Sequence, residues 1–313
     1  MTLNALYTPV ATTPTSLRIT HEQPILLLGS CFADEMGSRL AAAGFEVLCN
    51  PFGTLYNPLS IAACLSRALH NELLDESYLL FRDGLWHSWL HHTRFSHPDR
   101  DTALRQCNES ITLTHNFLSR NPLLFITFGT AYVFRLAAPH PLAGTIVANC
   151  HKMPANTFIR SRLTVEEIVQ AWQSLMDEAD RLMPAAATWL FTVSPIRHLA
   201  DGAHAGQLSK ASLLLAVDEL LSQNGNRPIR HAATDPLMTP GAAWYFDSYE
   251  ILLDELRDYR FYARDLCHPS DLAADIIFER LQLALMPPET QRRCQQHLQE
   301  HRRQQHRQLV NND

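Results

Sequence analysis

Two nucleophile-bearing residues, Ser30 and Cys31, follow an apolar run and a glycine in the stretch ILLLGSCFADEMG, residues 25–37. An amphipathic helical pattern starts directly after Ser30, where the first backbone N–H groups have no intrahelical acceptor. Two chemistries fit that position. The Ser30 hydroxyl can cap the helix, with Asp34 and Glu35 complementing its dipole. It can equally be a nucleophile whose own N–H helps hold the oxyanion of an acyl-transfer intermediate. Cys31 is a second candidate nucleophile, because a thiolate at a helix N-terminus has a lowered pKa. Its other role is packing.

A nucleophilic serine needs a base. Sixteen histidines make any single one uninformative, but RDLCHPSDL at residues 264–272 stands out. Asp265 precedes His268 by three residues just before a long helix that Pro269 opens. That spacing lets a carboxylate meet the imidazole, fix its tautomer and stabilise the imidazolium. A surface turn residue beside a satisfied histidine is the alternative. HSWLHHTRFSH at 87–97 supplies His87, His91, His92 and His97. It lacks H-E-x-x-H or Cys/His ligand spacing. A substrate wall that includes His87 and His92 is expected there, with a packed insertion as the alternative and no metal. NCHKMP (149–154) adds Asn149 and His151, and SPIRH (194–198) adds Arg197. Arg197 can bind a carboxylate or phosphate bidentately, or fix its own loop by a salt bridge. Neither G-x-G-x-x-G nor a Walker pattern occurs, which disfavours a nucleotide enzyme, and no cofactor is expected.

These residues depend on the elements that carry them. Ile25–Leu28, Phe45–Cys49, Leu123–Phe128, Thr188–Ser194 and a run around Trp244–Phe246 read as short buried strands. Helical spacing covers Phe32–Ala43, with Gly44 as its stop, then Pro58–Leu74, Leu163–Leu182, Gln207–Leu221, Ser270–Leu285 and Glu289–Leu309. Asp83-Gly84 marks a hairpin. Residues 131–136 and 144–150 read as a second hairpin or excursion. Strands alternating with helices imply parallel strands with helices on both faces. Ligands of such sheets sit beyond the carboxyl ends of the strands, so Gly29-Ser30, Gly129-Thr130 and Ser194-Pro195 gather on one rim.

The chain of 313 residues suits one large domain, with an insertion around 76–100 and a helical extension from about 288. Its net charge of −6 gives no electrostatic case for nucleic acid or an anionic membrane. No window reaches the roughly 18 apolar residues of a spanning helix. The first twenty residues lack a secretory pattern. Seven scattered cysteines, an odd number without C-x-x-C, argue for free thiols. The expected compartment is the cytoplasm; the sequence is silent on oligomeric state.

Several longer motifs resemble the GSCFA domain family, in order: GSCFA (29–33), NPFGTLYNP (50–58), LWHSWLHHTRFS (85–96), TFGTAYVF (127–134), VANCHKMPA (147–155), TVSPIRHLADGAH (192–204), LSKASLLLA (208–216) and DELRDYRFYARDLCHPS (254–270). The resemblance covers roughly residues 15–290. That family is similar to the SGNH/GDSL serine hydrolases. The likeness implies a three-layer α/β/α sandwich around a mostly parallel five-stranded sheet, with insertions. It makes Ser30 the nucleophile, His268 the base and Asp265 its orienter. Gly53 matches the glycine whose N–H joins the oxyanion hole. Where SGNH enzymes carry Asn after a Gly, this chain has Thr130 after Gly129. Asn149, ahead of Asn57, is the expected replacement donor; Asn57, His87, His92, His151 and Arg197 are expected to contact substrate. The expected activity is ester hydrolysis, with small O-acyl carbohydrate esters as substrates. The alternatives are an acyltransferase with an alcohol acceptor and a binding module that kept the pocket without the chemistry.

Overall fold

Ile25–Leu28 is apolar at every position because the strand it forms is buried on both faces. The computed structural model describes residues 8–11, 17–223 and 242–310. Residues 1–7 and 12–16, part of the N-terminal stretch read as carrying no secretory pattern, lie outside the described residues. The elements are β1 (Ile25–Gly29), α1 (Cys31–Ala42), β2 (Val47–Cys49), α2 (Pro58–His70), β3 (Leu79–Arg82), β4 (Leu85–Ser88), α3 (Arg100–Leu118), β5 (Leu123–Phe128), β6 (Tyr132–Leu136) and β7 (Phe158–Arg162). After them come α4 (Val165–Leu182), β8 (Thr188–Val193), α5 (Ala203–Gln223), β9 (Ala243–Tyr245), α6 (Ser248–Glu250), α7 (Asp271–Leu285) and α8 (Pro288–Val310).

The main sheet has the order β2-β1-β5-β8-β9, with every neighbouring pair parallel. Side chains alternate between its faces although nearly all are apolar. Leu26, Leu28, Leu124, Ile126, Phe128 and Phe191 pack with Ile61 and Leu65 of α2, Ile111 of α3, Trp172 of α4 and Leu213 of α5. Ile25, Leu27, Leu123, Phe125 and Leu190 pack on the other side with Phe32, Met36 and Leu40 of α1, Ile277 and Leu281 of α7 and Cys294 of α8. The fold is a three-layer α/β/α sandwich, as the alternation of strands and helices implies.

Several boundaries differ from the sequence reading. Helix α2 stops at His70 instead of continuing to Leu74, because Asn71 takes a left-handed conformation and caps it. Helix α3 is absent from that reading. Its buried face is narrow and includes Ser110 and Thr114 beside Ala103, Cys107, Ile111 and Leu118, so the apolar stripe is broken by hydroxyls. Strand β6 pairs along its length with β7, an Arg-containing segment of weak strand character. The 144–147 stretch adds only the backbone bonds Gly144 N to Leu136 O, Leu136 N to Thr145 O and Val147 N to Phe134 O on the other edge. The hairpin at Asp83-Gly84 forms as β3–β4, with both turn residues at positive φ. Among the described residues no helix is long and apolar enough to cross a membrane.

Candidate active site

The turn that carries Ser30 is built on backbone proximity. Gly29 closes β1 at φ +146, and a Cβ there would lie 2.1 Å from the Thr127 carbonyl oxygen of β5. The Gly29 amide donates to Asn50 Oδ1 at 2.9 Å, and the Gly29 carbonyl accepts from Leu55 N at 2.8 Å. Asn50 is fully buried and left-handed, and its Nδ2 donates to Asp34 Oδ1 at 2.8 Å. Ser30 is the N-cap of α1, and its Oγ accepts from Phe32 N at 3.3 Å. The opposite wall comes from β5. Gly129 approaches so closely that a Cβ would stand 3.3 Å from Ser30 Cβ and 2.9 Å from the Tyr56 carbonyl oxygen.

Asp265 and His268 form a tight pair. Asp265 Oδ2 lies 2.5 Å from His268 Nδ1, while Oδ1 accepts from Cys267 N at 2.9 Å and His268 N at 3.0 Å. Those two amides, the His268 one foremost, and then the imidazole hold the Asp265 carboxyl down to about 2. The carboxylate is therefore ionised at neutral pH, and it fixes the ring with Nε2 as the free position. The loop is anchored from the sheet side. Arg197 N donates to Cys267 O at 3.0 Å, and its guanidinium donates to Leu266 O at 3.3 Å and lies over the Tyr262 ring at 5.6 Å. Arg197 thus meets two loop carbonyls and a ring rather than the carboxylate of a salt bridge.

A cleft of about 730 Å³ lies between these parts. Ser30, Asn57, Thr130, Asn149, Arg197, Asp265 and His268 all line it, with Tyr56, Tyr132, Phe134, Arg160, His198 and Asp201. It sits beyond the carboxyl ends of β1, β5 and β8, the usual ligand position for such a sheet. On one wall the Arg160 guanidinium lies 3.8 Å from the Tyr132 ring centre and pairs with Asp201.

Other sequence candidates occupy different places. Gly53, left-handed at φ +83, donates its amide to Asn50 O at 2.8 Å, and a Cβ on it would meet His92 Cβ at 2.1 Å. It is outside the cleft lining, as are His87, His92 and His151. His87 is buried between Ser96 Oγ at 2.6 Å and the Arg82 carbonyl at 3.2 Å. His151 packs against the His87 ring at 4.6 Å and meets the Ser88 carbonyl at 2.7 Å through Nε2. His91 bridges Ser88 and Ser110, and burial pushes its pKa down to about 3. The insertion acts as a buttress: Arg94 donates to the Asn50 carbonyl and His92 N to the Phe52 carbonyl at 3.0 Å. His87 and His151 are buried in this packed segment, and with His92 they lie outside the residues that line the cleft with Ser30.

The expected oxyanion side chains are at the cleft, and each already makes a hydrogen bond there. Asn149 Nδ2 donates to Thr93 Oγ1 at 3.2 Å while its Oδ1 accepts from His151 N at 2.8 Å. Asn57 is the N-cap of α2 and its Nδ2 donates to Ser60 Oγ at 2.9 Å. Thr130 Oγ1 pairs with Ser209 Oγ at 3.1 Å and accepts from Tyr132 N at 3.1 Å. The amides of Gly129 and Thr130 both donate to Tyr56 O at 2.8 Å.

Three residues here carry weight that sequence reasoning did not assign: Asn50, Tyr56 and Lys210. Lys210 is 6 % exposed, and its Nζ donates to Gly129 O at 2.7 Å and Ser194 O at 2.6 Å, tying the ends of β5 and β8. Burial lowers its pKa to about 7. LSKAS lies on a helix and carries no motif for such a tie; only the fold brings the carbonyls to it. Among the described residues no group of three His, Cys, Asp or Glu is arranged to hold a metal ion.

Fold and cleft together define an α/β/α protein with a ligand-sized cleft at the carboxyl edge of a parallel sheet, holding a strand-end serine and a carboxylate–histidine pair. The GSCFA family model matches residues 24–281, and the chain belongs to the GSCFA family. No curated protein and no solved structure matches it.

Proposed function

We propose that this chain is a serine hydrolase of ester bonds. The observation that carries the reading is the Asp265–His268 pair at 2.5 Å on a loop that lines one cleft with Ser30. In the proposed sequence Ser30 Oγ bonds to the ester carbonyl carbon as His268 Nε2 takes its proton. The C–O bond to the alcohol then breaks, and His268 returns the proton to the leaving oxygen. Water repeats the attack on the acyl-enzyme and releases the acid. An alcohol in place of water gives acyl transfer from the same intermediate. Small O-acyl esters of carbohydrates are the proposed substrates, by likeness to the SGNH hydrolases; the polar and aromatic wall of Tyr132, Phe134 and Arg160 suits a hydroxylated alcohol.

A second reading rests on the engaged amides of Asn57 and Asn149: a binding module that retains the cleft without turnover. A fluorophosphonate probe with intact-protein mass measurement separates the two. The expected outcome is one adduct on the wild type, none on Ser30→Ala, and p-nitrophenyl ester turnover that falls at least about 10³-fold in that variant. Absence of both labelling and turnover in the wild type favours the binding module.

A further inference from the structure

We propose that Lys210 is a positioning residue of the site: its one buried ammonium holds both the wall against Ser30 and the segment that anchors the Asp265–His268 loop. The inference rests on the serine-hydrolase reading and adds to it a residue that acts through the backbone. A nucleophile and its base work only when held in register, and a misplacement of about 1 Å can cost about 10²-fold in rate. Ser30 follows β1, whereas Asp265 and His268 lie on the loop before α7. Their relative placement is set by the groups between them.

The first contact of Lys210 Nζ, with Gly129 O at 2.7 Å, bears on the serine. Gly129 is clamped at both polar groups, since its amide donates to Tyr56 O at 2.8 Å, and a Cβ on it would stand 3.3 Å from Ser30 Cβ. A shift of this peptide moves the surface against which Ser30 packs. The neighbouring Ser209 reinforces the hold: its Oγ accepts from Ala131 N at 2.8 Å and meets Thr130 Oγ1 at 3.1 Å. The second contact, with Ser194 O at 2.6 Å, bears on the base. Ser194 follows β8, and Pro195 restricts the next step of the chain. Arg197, a little further on, donates its amide to Cys267 O at 3.0 Å. Cys267 lies between Asp265 and His268, and its own amide donates to Asp265 Oδ1 at 2.9 Å.

The side chain is matched to this task. An ammonium is a compact point charge with three donors, whereas a guanidinium is a planar fork. Of the 26 lysines and arginines in the chain only Lys152 and Lys210 are lysine. At Lys210 two carbonyls from different strand ends converge on one point, which suits the compact donor. Taking that group out of water is costly, and no carboxylate shares its contacts; the Tyr249 ring lies 5.8 Å from Nζ. Packing alone would be served by an apolar side chain of similar length. What the amine adds is a fixed distance between the two strand ends.

The test compares wild type, Lys210→Met and Leu118→Ala on p-nitrophenyl acetate, with fluorophosphonate labelling rates, each protein assayed well below its own Tm. Leu118 is buried at the end of α3, just ahead of β5, and so lies at the opposite edge of the sheet from the cleft. Its truncation costs stability away from the site. Lys210→Met is expected to lose about 10–10²-fold in kcat and in labelling rate, with KM changed less than about threefold. Leu118→Ala is expected to stay within about threefold of wild type in both rates. If Lys210→Met yields no folded protein, Lys210→Gln takes its place, with a loss of at least about tenfold expected and the outcomes read in the same way. An active, labelled wild type with a folded Lys210 variant within about threefold of its kcat overturns the inference and leaves the hydrolase reading standing. A loss in Leu118→Ala as large as that in the Lys210 variant overturns it as well, because the effect then follows stability and not position. A wild type that neither labels nor turns over overturns the hydrolase reading, and the inference falls with it.

Discussion

Ser30 caps α1 and is the proposed nucleophile, and the two roles are compatible. A cap accepts through an oxygen lone pair; the hydroxyl proton stays free to leave. The Oγ contact with Phe32 N is long at 3.3 Å, so little binding is lost when Oγ turns towards a carbonyl carbon. Asp265 is also double-duty. Its Oδ1 holds the loop by two amide bonds and its Oδ2 holds the imidazole. Asn at 265 keeps an oxygen for the amides but removes the charge that stabilises the imidazolium. Asp265→Asn is therefore expected to lower kcat by about 10²–10⁴ with a small change in Tm. Asp265→Ala loses the turn as well and is expected to lower both. A parallel loss of Tm and kcat in Asp265→Asn makes the carboxylate a loop anchor only. These residues were legible because their signals are local: a glycine and serine closing an apolar run, and D-x-x-H before a proline. Asn50 was not. Its role is given by Gly29, on a different strand end, whose amide donates to its Oδ1.

The elements make the serine turn possible through a strand end where only glycine fits. Gly29 combines positive φ with a carbonyl that occupies the place of a Cβ. Gly84, in the β3–β4 turn at φ +79, has nothing within 4 Å of that place. The pair separates conformational strain from steric exclusion. Gly84→Ala is expected to cost about 1–2 kcal/mol, the usual penalty for an alanine in the left-handed region. Gly29→Ala is expected to exceed about 4 kcal/mol or to yield no soluble protein, since β1 must separate from β5. Urea unfolding of both variants checks this, and equal costs sink the argument that backbone approach dictates Gly29. The strands of the main sheet were legible because burial on both faces makes each a continuous apolar run. Helix α3 and strand β7 were not, and for related reasons. The first buries a stripe that contains Ser110 and Thr114, and the second is a half-exposed strand that carries Arg160 and Arg162. Patterning reports burial, so elements buried through hydroxyls or only partly buried leave a weak trace. Asn149 was expected near Ser30 because the chain lacks the Asn of the SGNH pattern; it lines the same cleft, and one N–H of its amide joins Thr93 of the insertion, a contact set by tertiary structure.

Across the whole molecule the cleft depends on layers that meet only at the sheet's carboxyl edge. Helix α5, in the layer opposite α1, sends Lys210 to the carbonyls of Gly129 and Ser194 and so couples the ends of β5 and β8 to the helix layer. No carboxylate accompanies the ammonium in those contacts; its burial is offset by the two neutral carbonyls and by the Tyr249 ring, whose centre lies 5.8 Å from Nζ. The sign of the pH effect follows from linkage. Burial lowers the lysine pKa from 10.5 in the unfolded chain to about 7. Between those values the unfolded chain binds the extra proton, so this residue's contribution to stability rises with pH across that window and is lost as pH falls towards 7. Lys210→Met removes the titrating group and leaves two buried carbonyls without donors, each worth about 1–3 kcal/mol. The methionine stem fills much of the same space, which limits any cavity. The expected result in urea unfolding is a variant clearly less stable than wild type at pH 9.5 and closer to it at pH 7, because the wild type carries the desolvated charge only at the lower pH. A gap of the same size at both pH values means that the buried amine does not titrate in this window. The tie between β5 and β8 is then held by one protonation state throughout.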